Sequence, residues 1–259
     1  MESRSSLDPD RLAHEIALIA RGAADIILDV RAAAFEVRAK ADKSPVTVAD
    51  ERAEAFILDR LAKLAPDIPA VGEEAYAAGE RCDLSGGIFW LVDALDGTKE
   101  FARQGSDFTV NIALIEDGVP IAGVIQAPAL DVLYVGSPAG AFRTERNDAS
   151  VRISVRDPDP AGLVAVISKS HQTNEEEFLA RYKMKQIINR GSSLKFCLIA
   201  AGEADIYPRL GPTSEWDVAA GHAVLAAAGG SVTTLDGVPL FYGKPDIRNP
   251  HFIARGKTA

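Results

Sequence analysis

Cysteine is scarce, and its two copies, Cys82 and Cys197, stand in unrelated contexts with no CxxC spacing. This argues against a disulfide framework and offers no zinc-binding pattern, and Cys197, flanked by Phe196 and Leu198, reads as core. No apolar run approaches the ~18 residues of a membrane span. The N-terminus, MESRSSLDPD, has no apolar segment of the kind a secretory leader carries, so cytoplasmic residence is the default expectation. Positive charge is in deficit: 28 Lys and Arg against 37 Asp and Glu leave a formal net charge of −9. Such a chain is no general binder of nucleic acid and is not steered to anionic lipid. An anionic substrate would therefore need local cations or metal ions. Repeats, low-complexity tracts and flexible linkers are missing too. What is present is 259 residues with 47% hydrophobic content, enough to bury a full core in one domain or two intimately packed halves.

The chain is organised around Trp90 to Phe101, WLVDALDGTKEF, which passes from strand to turn within a dozen residues. Ile88, Phe89, Trp90, Leu91 and Val92 form a short apolar run of β-formers, as in a buried strand. Asp93 and Asp96 sit at its exit, three apart around Leu95. Gly97 permits a tight turn, and Thr98, Lys99 and Glu100 resemble the first turn of a helix, whose free N–H groups favour an anion. Carboxylates for a cation and amides for a phosphate meet here. Asp-x-x-Asp-Gly is also ordinary turn vocabulary, so the stretch alone leaves both readings open.

Around it, Leu12, Ile16, Ile19, Ala20, Ala23, Ile27 and Val30 recur at helical spacing and predict an amphipathic helix from Asp10 to about Arg31, with His14 and Glu15 on its solvated face. In the loop DKSPVT, Pro45 argues against continued helix and the charges of Asp42 and Lys43 read as solvated. Thr47 with Asp50 three residues on is a capping-box pattern before a second helix carrying Ala53, Phe56, Ile57, Leu61 and Leu64. Taken alone, Asp50 is a helix cap. Ile68 to Val71 reads as a short strand, followed by the acids Glu73 and Glu74. From Phe108 the period is two, and Asp117-Gly118 supplies the turn of a hairpin returning along Val119 to Gln126. Strands at Val132 to Val135 and near Ala141 to Arg143 extend an antiparallel meander to the polar stretch Asp157 to Pro160, a soft boundary. Beyond it strands and helices alternate: Leu163 to Ile167, a helix from about Asn174, Gln186 to Ile188, a helix Ser193 to Ala201, Asp205 to Tyr207, a helix Trp216 to Ala228, then Ser231 to Leu235. This second half reads α/β. His222 reads as a packed histidine on an Ala-rich helix, and His14 and His251 carry no assignment.

Glu73, Asp93 with Asp96, and Asp217 fall at comparable places, after strands or at a helix start. If they converge, carboxylates in one cleft repel at low dielectric, so the protein must protonate some or bind cations. Oxygen ligands without nearby His or Cys select Mg²⁺ or Mn²⁺ over zinc. Shared carboxylates suit a two-metal site for phosphoryl chemistry.

From KADKSPVTVAD through VGEE, WLVDALDGTKEF, FTVNIALIEDG, SKSH, GSSLKFC and YPRLGPTSEWDVAAGHAVLAAAGG, the chain resembles the lithium-sensitive, magnesium-dependent phosphatases of the inositol monophosphatase superfamily. SKSH, GSSLKFC and YPRLGPT resemble its 3′(2′),5′-bisphosphate nucleotidase branch. The resemblance implies a layered αβαβα sugar-phosphatase fold, mixing α+β and α/β. Residues 1–158 would form an α+β metal-binding half and 159–259 a smaller α/β half for substrate specificity. It assigns Glu73, Asp93 and the Leu95 carbonyl to one Mg²⁺ and Asp93, Asp96 and Asp217 to a second, leaving a third ion open, with Mn²⁺ as a substitute. Asp50 and Thr98 match the pair that orients or deprotonates the attacking water, and Glu74 supports the metal ligands. Gly97, Thr98 and the following amides would cradle the scissile phosphate. Ser170, His171, Ser192, Lys195 and Arg209 match the branch's positions for holding the nucleotide. Read without the resemblance, Ser192 is a helix cap, Lys195 a surface residue and Arg209 a partner for any acid.

The resemblance further implies release of the 3′-phosphate of 3′-phosphoadenosine 5′-phosphate, its sulfated form being a second candidate substrate. It also implies lithium inhibition and a place in sulfur assimilation, leaves contact with the inner membrane open, and sets no oligomeric state. Activity on inositol or sugar phosphates, and a catalytically idle metal or nucleotide sensor, are the alternatives. Ala94 stands where the superfamily commonly has proline, which removes no side-chain ligand and implies a looser loop.

Overall fold

The computed structural model describes residues 7–33, 36–39, 45–146, 148–168 and 175–257. The chain runs through α1 (Pro9–Ala32), β1 (Val37–Ala39), β2 (Pro45–Thr47), α2 (Val48–Leu64), β3 (Ala70–Gly72), α3 (Glu73–Ala77), β4 (Ile88–Asp96) and α4 (Thr98–Ala102). It continues through β5 (Thr109–Glu116), β6 (Val119–Ala127), β7 (Val132–Ser137), β8 (Gly140–Glu145) and β9 (Val151–Ile153). Then follow β10 (Leu163–Ser168), α5 (Glu175–Leu179), β11 (Met184–Arg190), α6 (Leu194–Ala200), β12 (Ile206–Arg209), α7 (Trp216–Ala227), β13 (Ser231–Thr234) and β14 (Phe252–Arg255).

The helical spacing of the first thirty residues becomes α1. Pro9 stands in its first turn, where a missing N–H costs nothing, and Asp8 caps it by accepting the Arg11 N–H at 3.0 Å. Its buried face, with that of α2, lies on one side of a seven-stranded sheet ordered β3 to β9. From β4 to β9 the sheet is the expected antiparallel meander, and β3 joins its edge parallel to β4. The β5–β6 hairpin turns at Asp117 and Gly118, with φ of 48° and 79°, a backbone that asparagine, aspartate and glycine tolerate best. Along β4, Trp90 and Val92 pack with α1 and α2, whereas Phe89 and Leu91 join the core on the other face. Both faces are covered, which is why this strand reads as a continuous apolar run rather than an alternation.

On that second face lies the Ala-rich α7. It approaches unusually closely: a Cβ on Gly123 of β6 would stand 2.6 Å from the Ala223 Cβ, and one on Gly136 of β7 2.5 Å from the Val224 Cα. Phe196 of α6, Tyr207 of β12 and Phe252 of β14 belong to the same core as Phe89, Leu91 and Ile125, so the chain on either side of Asp157 to Pro160 shares one hydrophobic interior. A second, five-stranded sheet, ordered β11-β10-β12-β14-β13, covers this layer. Its outer face packs Ala165, Ile167, Ile206 and Ile253 against Leu179 of α5. The layers are therefore αβαβα, as expected.

The second sheet keeps the α/β character of this half and adds one strand that local spacing does not reveal. Strands β10, β11 and β12 are parallel, as an α/β half requires, but β14 enters antiparallel between β12 and β13. A four-residue strand whose partners lie 20 to 50 residues back leaves no local periodicity to read; the sheet is mixed. Among the described residues no helix is long and apolar enough to cross a membrane.

Candidate active site

The site is built where β4 ends. Pairing of β4 with β5 is regular from Ile88 to Asp93, then slips between Asp93 and Asp96. Asp93 stays opposite Asn111 and Asp96 opposite Thr109, so the irregularity leaves Ala94 and Leu95 between two carboxylates at the end of the ladder. The Leu95 N–H donates to Asp93 Oδ1 at 3.0 Å, pinning the turn that Ala94, itself buried, occupies in place of proline. Gly97 follows with φ 97° and ψ 32°. A Cβ there would meet the Asp107 carbonyl at 2.8 Å, so both conformation and space demand glycine. Gly97→Ala is expected to lower the thermal midpoint by roughly 4–8 °C, from about 2 kcal/mol of backbone strain, and wild-type melting of this variant would contradict the geometry.

Three acids from three elements converge. Glu73 at the start of α3, Asp93 of β4 and Asp217 in the first turn of α7 each offer an oxygen within 4.8 Å of the other two. Asp96 lines the same cleft and accepts a hydrogen bond from the Ser192 hydroxyl at 2.8 Å rather than joining that triad. The Asp93 carboxyl is pushed well above the usual carboxylate range by burial and then by Glu73, Asp96 and Asp217. That of Asp217 is pushed up to about 8 by burial and then by Asp96 and Glu73, against the Ser214 N–H bond and Arg209. Charge crowded in this way is matched by a cation; oxygen donors alone, with no His or Cys among them, fit a hard divalent ion.

Asp50 makes hydrogen bonds in two directions. Its Oδ2 accepts from the Thr47 N–H and the Thr47 hydroxyl, each at 2.7 Å, completing the capping box of α2. Its Oδ1 accepts from the Thr98 hydroxyl at 3.0 Å, and that hydroxyl also lies 3.2 Å from the Leu95 carbonyl. Burial pushes the Asp50 carboxyl up, and the Thr47 and Thr98 hydrogen bonds pull against it.

The opposite wall comes from the second half. Ser192, in the left-handed region at φ 54°, spends its hydroxyl on Asp96 and Thr109 and does not cap α6; Ser193 holds the N-cap position. Lys195 is no surface residue: it is 5% exposed, donates to the Ser192 carbonyl at 2.6 Å and lies over the Tyr207 ring at 5.1 Å. Burial pushes its ammonium down to about 8 against the attraction of Asp96. Arg209, 8% exposed, donates to the Pro212 carbonyl at 2.8 Å, and its Nε has no hydrogen-bond acceptor. Among the described residues neither cation forms an ion pair with a carboxylate. Ser170 and His171 lie outside the described residues. His222 is packed as expected, with Nδ1 3.0 Å from the Tyr242 hydroxyl and burial pushing its pKa down to about 4.

Residues not singled out in the sequence complete the frame. Buried Asp107 accepts the Gly191 N–H at 2.9 Å and the Arg190 guanidinium at 3.2 Å, tying the β11–α6 turn to the loop after α4. Buried Thr109 and Asn111 of β5 hold the hydroxyls of Ser192 and Ser193. Their alternation along β5 made them sheet residues; only the neighbouring strand ends make them site residues.

A sequence profile described as the inositol monophosphatase family matches residues 8–257. The chain belongs to that family. It is 45% identical over 242 residues to the 3′(2′),5′-bisphosphate nucleotidase CysQ of Escherichia coli strain K12, covering 92% of this chain and 97% of that protein. The corresponding protein of Salmonella typhimurium matches at 45% over the same shares. Among solved structures, CysQ from Bacteroides thetaiotaomicron superposes with a TM-score of 0.81 at 34% identity, over 96% of this chain and 98% of that one. An inositol monophosphatase from Anabaena does so at 0.74 and 26% identity, over 95% and 90%. The family is metal-dependent, and the acidic cluster is where such an ion fits this chain.

Proposed function

We propose that this protein is a Mg²⁺-dependent phosphatase that hydrolyses 3′-phosphoadenosine 5′-phosphate, and as a second substrate its sulfated form, to the 5′-nucleotide and inorganic phosphate. The observation that carries the reading is the pair of buried cations, Lys195 and Arg209, with carbonyl partners and, among the described residues, no paired carboxylate, lining one cleft with the acidic cluster. A monophosphate ester would use the acidic end alone; a bisphosphate uses both. The similarity to bisphosphate nucleotidases supports the same choice.

Glu73, Asp93 and the Leu95 carbonyl would hold one Mg²⁺, and Asp93, Asp96 and Asp217 a second; Mn²⁺ would serve in its place, and a third ion is compatible with the site. Bound there, the ions supply an activated water and offset the charge on phosphoryl and leaving oxygens. Thr98, donating to Asp50, keeps oxygen lone pairs for the attacking water, so the water's proton passes to Thr98 as Thr98 passes its own to Asp50. Burial, which makes the Asp50 carboxylate a stronger base, favours that transfer. The Gly97 and Thr98 amides hold the scissile phosphate. Ser192, Lys195 and Arg209, with Ser170 and His171, hold the nucleotide and its second phosphate. On this reading residues 1–158 supply all the metal ligands except Asp217, which comes from the 159–259 half together with the specificity residues. Cytoplasmic residence, inhibition by Li⁺ and a role in sulfur assimilation accompany this reading.

Phosphate release from 3′-phosphoadenosine 5′-phosphate and from inositol 1-phosphate, each with Mg²⁺, with EDTA and with added Li⁺, tests it. The expected result is Mg²⁺-dependent, Li⁺-sensitive release from the nucleotide. Preference for inositol phosphate would overturn the substrate, and silence on both would overturn catalysis in favour of a sensor.

A further inference from the structure

We propose that Glu54, which no motif in the sequence singled out, is a positioning residue that fixes Glu73 in the metal site; the inference rests on the metal reading above. Glu54 lies one helical turn after Asp50 on the same face of α2 and is 3% exposed. A carboxylate buried inside a helix is costly unless hydrogen bonds satisfy it. Its oxygens accept the backbone N–H of Glu74 at 2.8 Å and of Ala75 at 2.7 Å.

Those amides are ones that every helix leaves without an internal partner. Helix α3 starts at Glu73, and its own N-cap residue, Gly72, has no side chain to offer. Glu54 therefore caps α3 from another helix, and it does so on the residues next to Glu73. Gly72 leaves the room this needs: a Cβ there would stand 2.5 Å from Cδ and 2.6 Å from Oε1 of Glu54. One face of α2 thus touches the site twice, Asp50 on Thr98 at the start of α4 and Glu54 on the turn that carries Glu73. Parallel pairing of β3 with β4, Gly72 opposite Val92, brings Glu73 beside Asp93, and Glu54 holds the turn that carries Glu73 in place.

Partners that orient metal ligands typically change affinity by 10- to 100-fold when altered. Glu54→Gln keeps the volume but offers one acceptor and one N–H₂ group to two N–H donors, so Mn²⁺ binding, followed by electron paramagnetic resonance on the folded protein, is expected to weaken about tenfold. Glu54→Ala should weaken it more. Gly72→Ala, which displaces the same carboxylate without altering charge, should act in the same direction and keeps the test open if Glu54 variants fold poorly. The Mg²⁺ concentration for half-maximal turnover should rise by the same factor, while KM for the nucleotide at saturating Mg²⁺ stays within about twofold. A purely structural role would lower the melting temperature in EDTA and leave the Mn²⁺ constant of the folded protein unchanged, which overturns the proposal. Wild-type protein that binds no Mn²⁺ overturns the metal reading as well; wild type that binds it, with Glu54→Gln and Gly72→Ala unchanged, overturns the role of Glu54 alone.

Discussion

Asp93→Asn is expected to abolish Mg²⁺-dependent turnover and, in the absence of metal, to make the protein more stable than wild type. The two effects share a cause. Asp93 is 2% exposed, shares its cavity with Glu73, Asp96 and Asp217, and is the carboxylate that both proposed ions use. Removing its charge removes a ligand, for which a loss on the order of a thousandfold in rate, about 4 kcal/mol, is a modest estimate. It also removes a buried charge that three others repel, and each kcal/mol so regained raises the melting temperature of a chain this long by about 2–4 °C. The pH dependence follows with a sign opposite to that of most aspartates. Asp217 is pushed from 3.8 up to about 8, so between these values the folded protein binds more protons than the unfolded chain. Stability of metal-free protein must then fall as pH rises through that window. Melting in EDTA should drop between pH 6 and pH 8, Mg²⁺ should restore it, and Asp93→Asn should flatten the slope and lose the Mg²⁺ effect. Metal-free wild type that melts higher than Asp93→Asn at pH 8 would show that the carboxylates are not crowded enough to require an ion.

How far these features could be read in advance depends on whether their causes are local. The β5–β6 hairpin, the α1 stripe and the Thr47–Asp50 capping box are written in neighbouring residues, because period, turn chemistry and capping act over fewer than ten positions. Asp93, Asp96 and Asp217 were visible as acids at element ends for the same reason. Their convergence was supplied by resemblance and by the fold, since nothing within the WLVDALDGTKEF stretch says that α7 will deliver Asp217 to it. Three further properties depend wholly on distant chain. Strand β14 exists because β12 and β13 flank it. Lys195 is buried because β12 brings Tyr207 against it, although LKFC by itself reads as the start of an ordinary amphipathic helix. Ser192 holds a left-handed backbone that no serine prefers, and its bonds to Asp96 and Thr109 accompany that conformation. Glu54 shows the same limit from the other side: four residues from Asp50 it shares a helix face by arithmetic, yet its partners on α3 lie 20 residues away.

Lys195→Met is expected to raise KM for 3′-phosphoadenosine 5′-phosphate by roughly 30- to 100-fold with kcat changed by less than about threefold. A charge-assisted hydrogen bond to a phosphate oxygen contributes about 2–3 kcal/mol, and on the proposed reading Lys195, which lines the cleft with the acidic cluster, would hold substrate rather than the attacking water. Methionine fills a similar volume, so the cavity is preserved while the charge is lost. For inositol 1-phosphate, which has no second phosphate, KM should not move, and this difference separates recognition of a bisphosphate from general attraction of anions. Titration provides an independent check. Burial holds the free lysine down at about 8, against 10.5 for an ordinary side chain, so the ammonium form needed by the phosphate is depleted as pH passes 8. In the wild type KM for the nucleotide should climb above that pH, and in Lys195→Met the climb should vanish. The same depressed value means that, from 8 to 10.5, the folded state binds fewer protons than the unfolded chain, so below pH 8 the buried charge opposes folding. Ligand-free Lys195→Met should accordingly melt above the wild type at pH 7. A variant with unchanged KM for the nucleotide and unchanged melting would place the second phosphate elsewhere and leave the burial of Lys195 without a substrate to explain it.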